Sequence, residues 1–269
     1  MSALAGVRLV SLALNVPGPV AVARLASEGA TVVKVEPPGG DPLQAYARAW
    51  YDALHAGIEV RAIDLKTHAG RHALDGLLAR ADVLVTSQRP AALARLGVDP
   101  AALRQRHPGL RGVAIVGDTR EPDLAGHDLT YQADAGLVDE RLPATLVADL
   151  AGAERAVTAV LLALREAPGT FRQVGLRDSL DVFQTPRRLA LTTPGGPFGG
   201  GDPAYQVYRA ADGVVALAAL EPHFRARLYT ALDLPLDAPL AEVMATRSCD
   251  EWAAFARAHD IPLSVIPRA

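Results

Sequence analysis

Residues 7–41, VRLVSLALNVPGPVAVARLASEGATVVKVEPPGGD, decide the fold. Their first eight residues, VRLVSLAL, form an apolar run of the length of one buried strand. Pro17-Gly18-Pro19 then turns the chain into AVARLASEG, whose apolar spacing and closing Gly29 suit a short helix. A second β-branched run follows from Thr31 to Val35, closed by Glu36-Pro37-Pro38 and a glycine turn. Strand, helix and strand in this order make a βαβ unit, the connection that a parallel strand pair needs.

The alternation continues outward from that unit. VRAIDL (60–65) reads as a strand, THAGRHALDGLLARA (67–81) as a helix, and DVLVTS (82–87) as a strand. PAALARLG (90–97) and PAALRQRH (100–107) read as short helices, and LRGVAIVG (110–117) as a strand. The pattern predicts an α/β fold with a doubly wound, Rossmann-like parallel sheet. Asp149 opens the strongest helical pattern, in which Val157, Val160, Leu161 and Leu164 recur at helical spacing before Pro168-Gly169.

The composition then shifts. A glycine-rich loop (192–205) leads to VYRAADGVVALAAL (207–220), which reads as a hairpin turning at Asp212-Gly213. EPHFRARLYTAL (221–232) and DEWAAFARAH (250–259) read as helices and IPLSVI (261–266) as an apolar strand. Residues 1–185 are therefore expected to form a Rossmann-like large domain, and 186–269 a smaller α+β domain.

The bulk properties bound the function. With 27 basic against 30 acidic residues, the net charge of −3 supplies no basic field for nucleic acid or anionic lipid. Cys249 stands alone, so no intramolecular disulfide forms, and a reducing cytoplasm is the expected setting. The apolar N-terminal run is broken by Arg8, Asn15 and Pro17, which argues against a signal peptide or a membrane span. No GxGxxG follows the first strand, and neither a Walker sequence nor HExxH occurs, so neither a metal nor a prosthetic group is expected.

Three residues are candidates for chemistry, each with a structural alternative. Asp149 sits at the start of a long apolar helix, where free N–H groups favour a carboxylate; it reads as a helix cap or as a reactive group. His127 in AGHDLTY is either a surface histidine beside a capping aspartate or an acid–base group that titrates near neutrality. Glu221 ends an apolar strand just before Pro222, as a helix-start acid or a polar group placed at a strand end.

Taken together, the segments resemble the family III CoA-transferases of the CaiB/BaiF type, a group that includes formyl-CoA transferase, carnitine CoA-transferase and α-methylacyl-CoA racemase. The resemblance rests on PGPVAVARLASEGATVVKVEPPGGDP, AIDLKTHAGRHALDGLLARADVLV, AGHDLTYQADAG with VADLAGAERAV, and YQVYRAADGVVALAALEPHF, in order along nearly the whole chain. It implies that Asp149 acts either as a nucleophile forming a mixed anhydride in transferases or as an acid–base group in racemases. The GHD turn with His127 and the ALEPHF segment with Glu221 look like the racemase branch, where histidine assisted by glutamate opposes the aspartate. It further implies a CoA thioester as substrate and Lys66, Arg95, Arg89 and Gln88 as its contacts.

Two stretches depart from the family. HAGIEV places Ile58 and Glu59 where two cations are expected, and TSQRP places Ser87 and Gln88 where an asparagine and an aromatic flank the coenzyme. Relatives also continue for about a hundred residues beyond the segment matching IPLSVI, returning to the large domain, and pair as interlocked homodimers. A homodimeric acyl-CoA enzyme without nucleic-acid or membrane partners is thus expected. A non-catalytic binding protein derived from the family is the alternative from another class.

Overall fold

The βαβ unit of residues 7–41 lies at the centre of a six-stranded parallel sheet. The computed structural model describes residues 2–267. Its strands β1 (Arg8–Ser11), β2 (Thr31–Glu36), β3 (Glu59–Ala62), β4 (Val83–Thr86), β5 (Arg111–Val116) and β6 (Phe171–Gly175) run in the order β3-β2-β1-β4-β5-β6. Every pairing is parallel. This is the doubly wound order, with the winding direction reversing between β1 and β4.

The helices of this part are α1 (Pro17–Ser27), α2 (Leu43–Tyr46), α3 (Arg48–Leu54), α4 (His68–Leu78), α5 (Pro90–Arg95), α6 (Pro100–Arg106), α7 (Asp128–Asp134), α8 (Val147–Arg165) and α9 (Asp181–Arg188). Side chains alternate across the sheet as period two requires. Leu9, Val32, Val83 and Val85 join α1 and α8 in one core, whereas Val10, Val35 and Leu84 join α4, α5 and α6 in another. Covering both faces is what makes the strands read as continuous apolar runs.

Two local readings are corrected. Pro17-Gly18-Pro19 is the first turn of α1, not a turn before it; Pro17 stands at the start, where its missing N–H costs nothing. Gly18 is required there because a Cβ would lie 2.2 Å from the Cβ of Ala13. Strand β6 and helices α2 and α3 have no counterpart in the sequence reading. FRQVG is an edge strand with polar Arg172 and Gln173, so its apolar signal is weak.

The chain divides into two compact units, Met1–Gln184 and Thr185–Ala269. The second holds a three-stranded antiparallel sheet of β7 (Tyr205–Arg209), β8 (Val214–Ala218) and β9 (Leu263–Val265). Around it lie α10 (Pro222–Ala231), α11 (Ala241–Met244) and α12 (Cys249–His259). Trp252 is fully buried in its core and donates its indole N–H to Met244 O at 2.8 Å. Ser248 and Glu251 cap α12 reciprocally, which explains its sharp start.

Candidate active site

A cavity of about 220 Å³ opens where the winding direction reverses. Its walls come from the ends of three strands: Leu14 and Asn15 after β1, Ser87, Gln88 and Arg89 after β4, and Val116 and Gly117 at β5. The lining also includes His127 just before α7, Tyr131 on α7 and Asp149 on α8. Crevices outside the carboxyl ends of strands at such a reversal are the usual ligand sites of open parallel sheets.

Asp149 is not a helix cap. The helix begins two residues earlier at Val147, which leaves Asp149 in the first turn. Its backbone N–H donates to Asp128 Oδ1 at 3.1 Å, so Asp128 does the capping from the neighbouring helix. Burial, reinforced by the charge of Asp128, raises the Asp149 carboxyl to about 7. A carboxyl that titrates near neutrality both gives and takes protons under ordinary conditions.

His127 precedes α7 in extended conformation and is exposed at the rim of the same cavity, its N–H donating to Thr130 Oγ1 at 3.1 Å. Asp128, beside it in the chain, is buried. Tyr131, also buried, has its phenol raised by desolvation and then by the charge of Asp149, an effect opposed by Arg89.

Gln88 is anchored by its Nε2 donating to Leu12 O at 2.5 Å. Its buried Oε1 finds no donor among the described residues, which leaves an acceptor in the cavity wall. Ser87 accepts the N–H of Leu14 at 2.8 Å and ties the ends of β1 and β4 together.

The remaining sequence candidates lie elsewhere. Lys66 is exposed in the turn before α4. Arg95, on the last turn of α5, lines a separate cleft of about 460 Å³ with His68, Arg71, His72 and Arg106. Ile58 packs against the core, and Glu59 pairs with Arg61 at 2.7 Å on the exposed edge strand, so neither acts as a cation substitute. Glu221 belongs to the second unit, exposed at the N-cap of α10 without a side-chain capping bond.

Asn15 was not among the sequence candidates. It holds a left-handed backbone at φ 65°, tolerable for asparagine, with its N–H on Asp41 Oδ1 at 2.9 Å and its Oδ1 receiving Tyr46 OH at 3.0 Å. The acidic residue closing PPGGD was the only hint to that support. Among the described residues no cluster of His, Cys, Asp and Glu is placed to hold a metal, and no helix is long and apolar enough to cross a membrane.

Comparison with known proteins follows the same lines. The family model described as CoA-transferase family III matches residues 4–269. The chain is 30% identical over 276 residues to α-methylacyl-CoA racemase of Homo sapiens, covering 93% of this chain and 69% of that protein. It is 33% identical over 139 residues to cinnamoyl-CoA:phenyllactate CoA-transferase of Clostridium sporogenes, covering 46% of this chain and 34% of that protein. In fold it is similar to the orthorhombic crystal structure of Rv3272 of Mycobacterium tuberculosis, at a TM-score of 0.87 and 24% identity, covering 100% of this chain and 83% of that one.

Proposed function

The chain belongs to CoA-transferase family III, and from that premise we propose that it racemises 2-methylacyl-CoA-type thioesters by two-base transfer of the α-proton. The observation that carries this reading is the meeting of Asp149 and His127 in one cavity, with the carboxyl raised to about 7. One base takes the α-proton from one face of the carbon, leaving the enolate of the thioester. The other returns a proton to the opposite face, so charge and protons balance over the cycle.

Glu221 enters through the resemblance alone, which in the racemase branch gives a glutamate as the helper of the histidine. Its exposed N-cap position leaves its carboxylate without a capping bond. The CoA moiety is read onto Lys66, Arg95, Arg89 and Gln88. Arg95 lies in a cleft with two further arginines, the chemistry that suits phosphates, while Gln88 offers its unpaired acceptor to an amide N–H of the pantetheine arm. A homodimer acting in the cytoplasm without a prosthetic group completes the reading.

Incubation of 2-methylacyl-CoA esters in D2O tests it, with deuterium expected at the α-carbon. An unlabelled ester across a broad acyl panel overturns it. The similarity to a named CoA-transferase favours a second reading, in which the Asp149 carboxylate attacks the thioester, expels the CoA thiolate and forms a mixed anhydride. Hydroxylamine trapping of an adduct at Asp149 without α-exchange selects that second reading.

A further inference from the structure

A carboxylate at the start of a helix ordinarily spends its oxygens on the free N–H groups there. Asp149 does not. One N–H in the first turn of α8 receives an acceptor from outside the helix, because Asp128 Oδ1 takes the Asp149 N–H at 3.1 Å.

The arrangement around Asp128 is built rather than incidental. Its side chain is only 5% exposed, and its second oxygen, Oδ2, accepts Gln132 Nε2 at 2.6 Å. Gln132, 1% exposed, also donates Nε2 to Thr145 O at 3.0 Å, on the segment leading into α8. Helix α7 therefore holds the start of α8 at two points, Thr145 just before the helix and Asp149 in its first turn. Asp128 also follows His127 directly, so one rigid turn sets both proposed bases.

We propose that Asp128 is a positioning residue: by capping α8 from α7 it fixes the first turn that carries Asp149 and leaves the Asp149 carboxyl free to exchange protons with substrate. This rests on the reading of Asp149 as a proton-exchanging group. A neutral cap such as asparagine or serine would serve the helix equally well. The buried charge has a further effect, since a like charge beside Asp149 disfavours its ionised form. The other groups facing Asp149 are Tyr131 and His127 from α7, Arg89 after β4 and Tyr46 from α2.

The test is a carboxyl NMR titration of Asp149 in the substrate-free full chain, for the wild type, Asp128→Asn and Asp128→Ser. Both substitutions remove the charge and keep a short polar side chain. Asp149 is expected to titrate about one pH unit lower in each, and the acidic limb of the α-exchange profile to move with it. An unchanged titration in a folded variant overturns the placement of the Asp128 carboxylate beside Asp149, on which the proposal rests. Amide hydrogen exchange in the wild type needs no variant to fold: the Asp149 N–H is expected to be protected like the helix interior, and free exchange overturns the capping. The titration and amide exchange are read without substrate. A failure of α-deuteration in the wild type with these results intact therefore counts against the racemase reading and not against the capping.

Discussion

Lys34 Nζ lies 3.0 Å from Glu36 Oε1, and both side chains are buried at the end of β2. The same ammonium lies 2.5 Å from Asp41 Oδ2 and donates to His55 Nε2 at 2.8 Å. The His55 Nδ1–H is then directed at Tyr51 O at 2.6 Å, and burial lowers the imidazole below its usual range. Asp41 uses its other oxygen for the N–H groups of Asn15 and Leu43. One buried cation thus holds two carboxylates, and one of these holds the cavity wall at Asn15.

Removing Lys34 leaves two buried carboxylates without their counterion. Lys34→Met is expected to cost about 3–5 kcal/mol, the range for breaking a buried ion pair on one side. Urea unfolding at neutral pH measures this, and a loss within about 0.5 kcal/mol of zero contradicts the network's structural role.

Asp149→Asn is expected to stop racemisation, leaving α-exchange only for the enantiomer that His127 deprotonates, and to stabilise the fold. The Asp149 carboxyl titrates near 7 in the folded chain against 3.8 ordinarily, so the native state binds the proton more tightly. Stability is therefore fully present at low pH and is lost as pH rises through that interval. The neutral variant escapes the loss, gaining about 1–3 kcal/mol at pH 8 and little at pH 4. Thermal melts at both pH values give the comparison, and an equal gain at both refutes the assignment.

Two opposed bases make each enantiomer depend on a different one. His127→Gln is expected to stop racemisation, while one enantiomer of a 2-methylacyl-CoA still exchanges its α-proton through Asp149. Stereospecific exchange followed by NMR reads this. Equal exchange of both enantiomers excludes His127 as one of the pair.

Arg95→Ala is expected to weaken CoA binding about tenfold by calorimetry and to raise KM with kcat nearly unchanged, as for a contact made equally in ground and transition states. Unaltered affinity removes the Arg95 cleft from the CoA site.

The parallel sheet was legible because its central strands are buried on both faces and alternate with helices at short range. Strand β6 was not, since Arg172 and Gln173 on an edge dilute its apolar signal. The helix-cap reading of Asp149 failed because the residue that caps α8, Asp128, comes from another helix 21 positions earlier.

By itself the sequence determined the order of the strands and helices apart from β6, α2 and α3, since hydrophobic period and Gly or Pro punctuation act over a few residues. It also marked Asp149, His127 and Glu221 as candidates through a motif pattern. Only the tertiary structure decided that Asp149 and His127 share a cavity, that Asp128 takes the Asp149 N–H, and that Lys34 anchors the wall at Asn15. These depend on the desolvation and hydrogen bonding that arise when distant segments pack, and no local spacing encodes them.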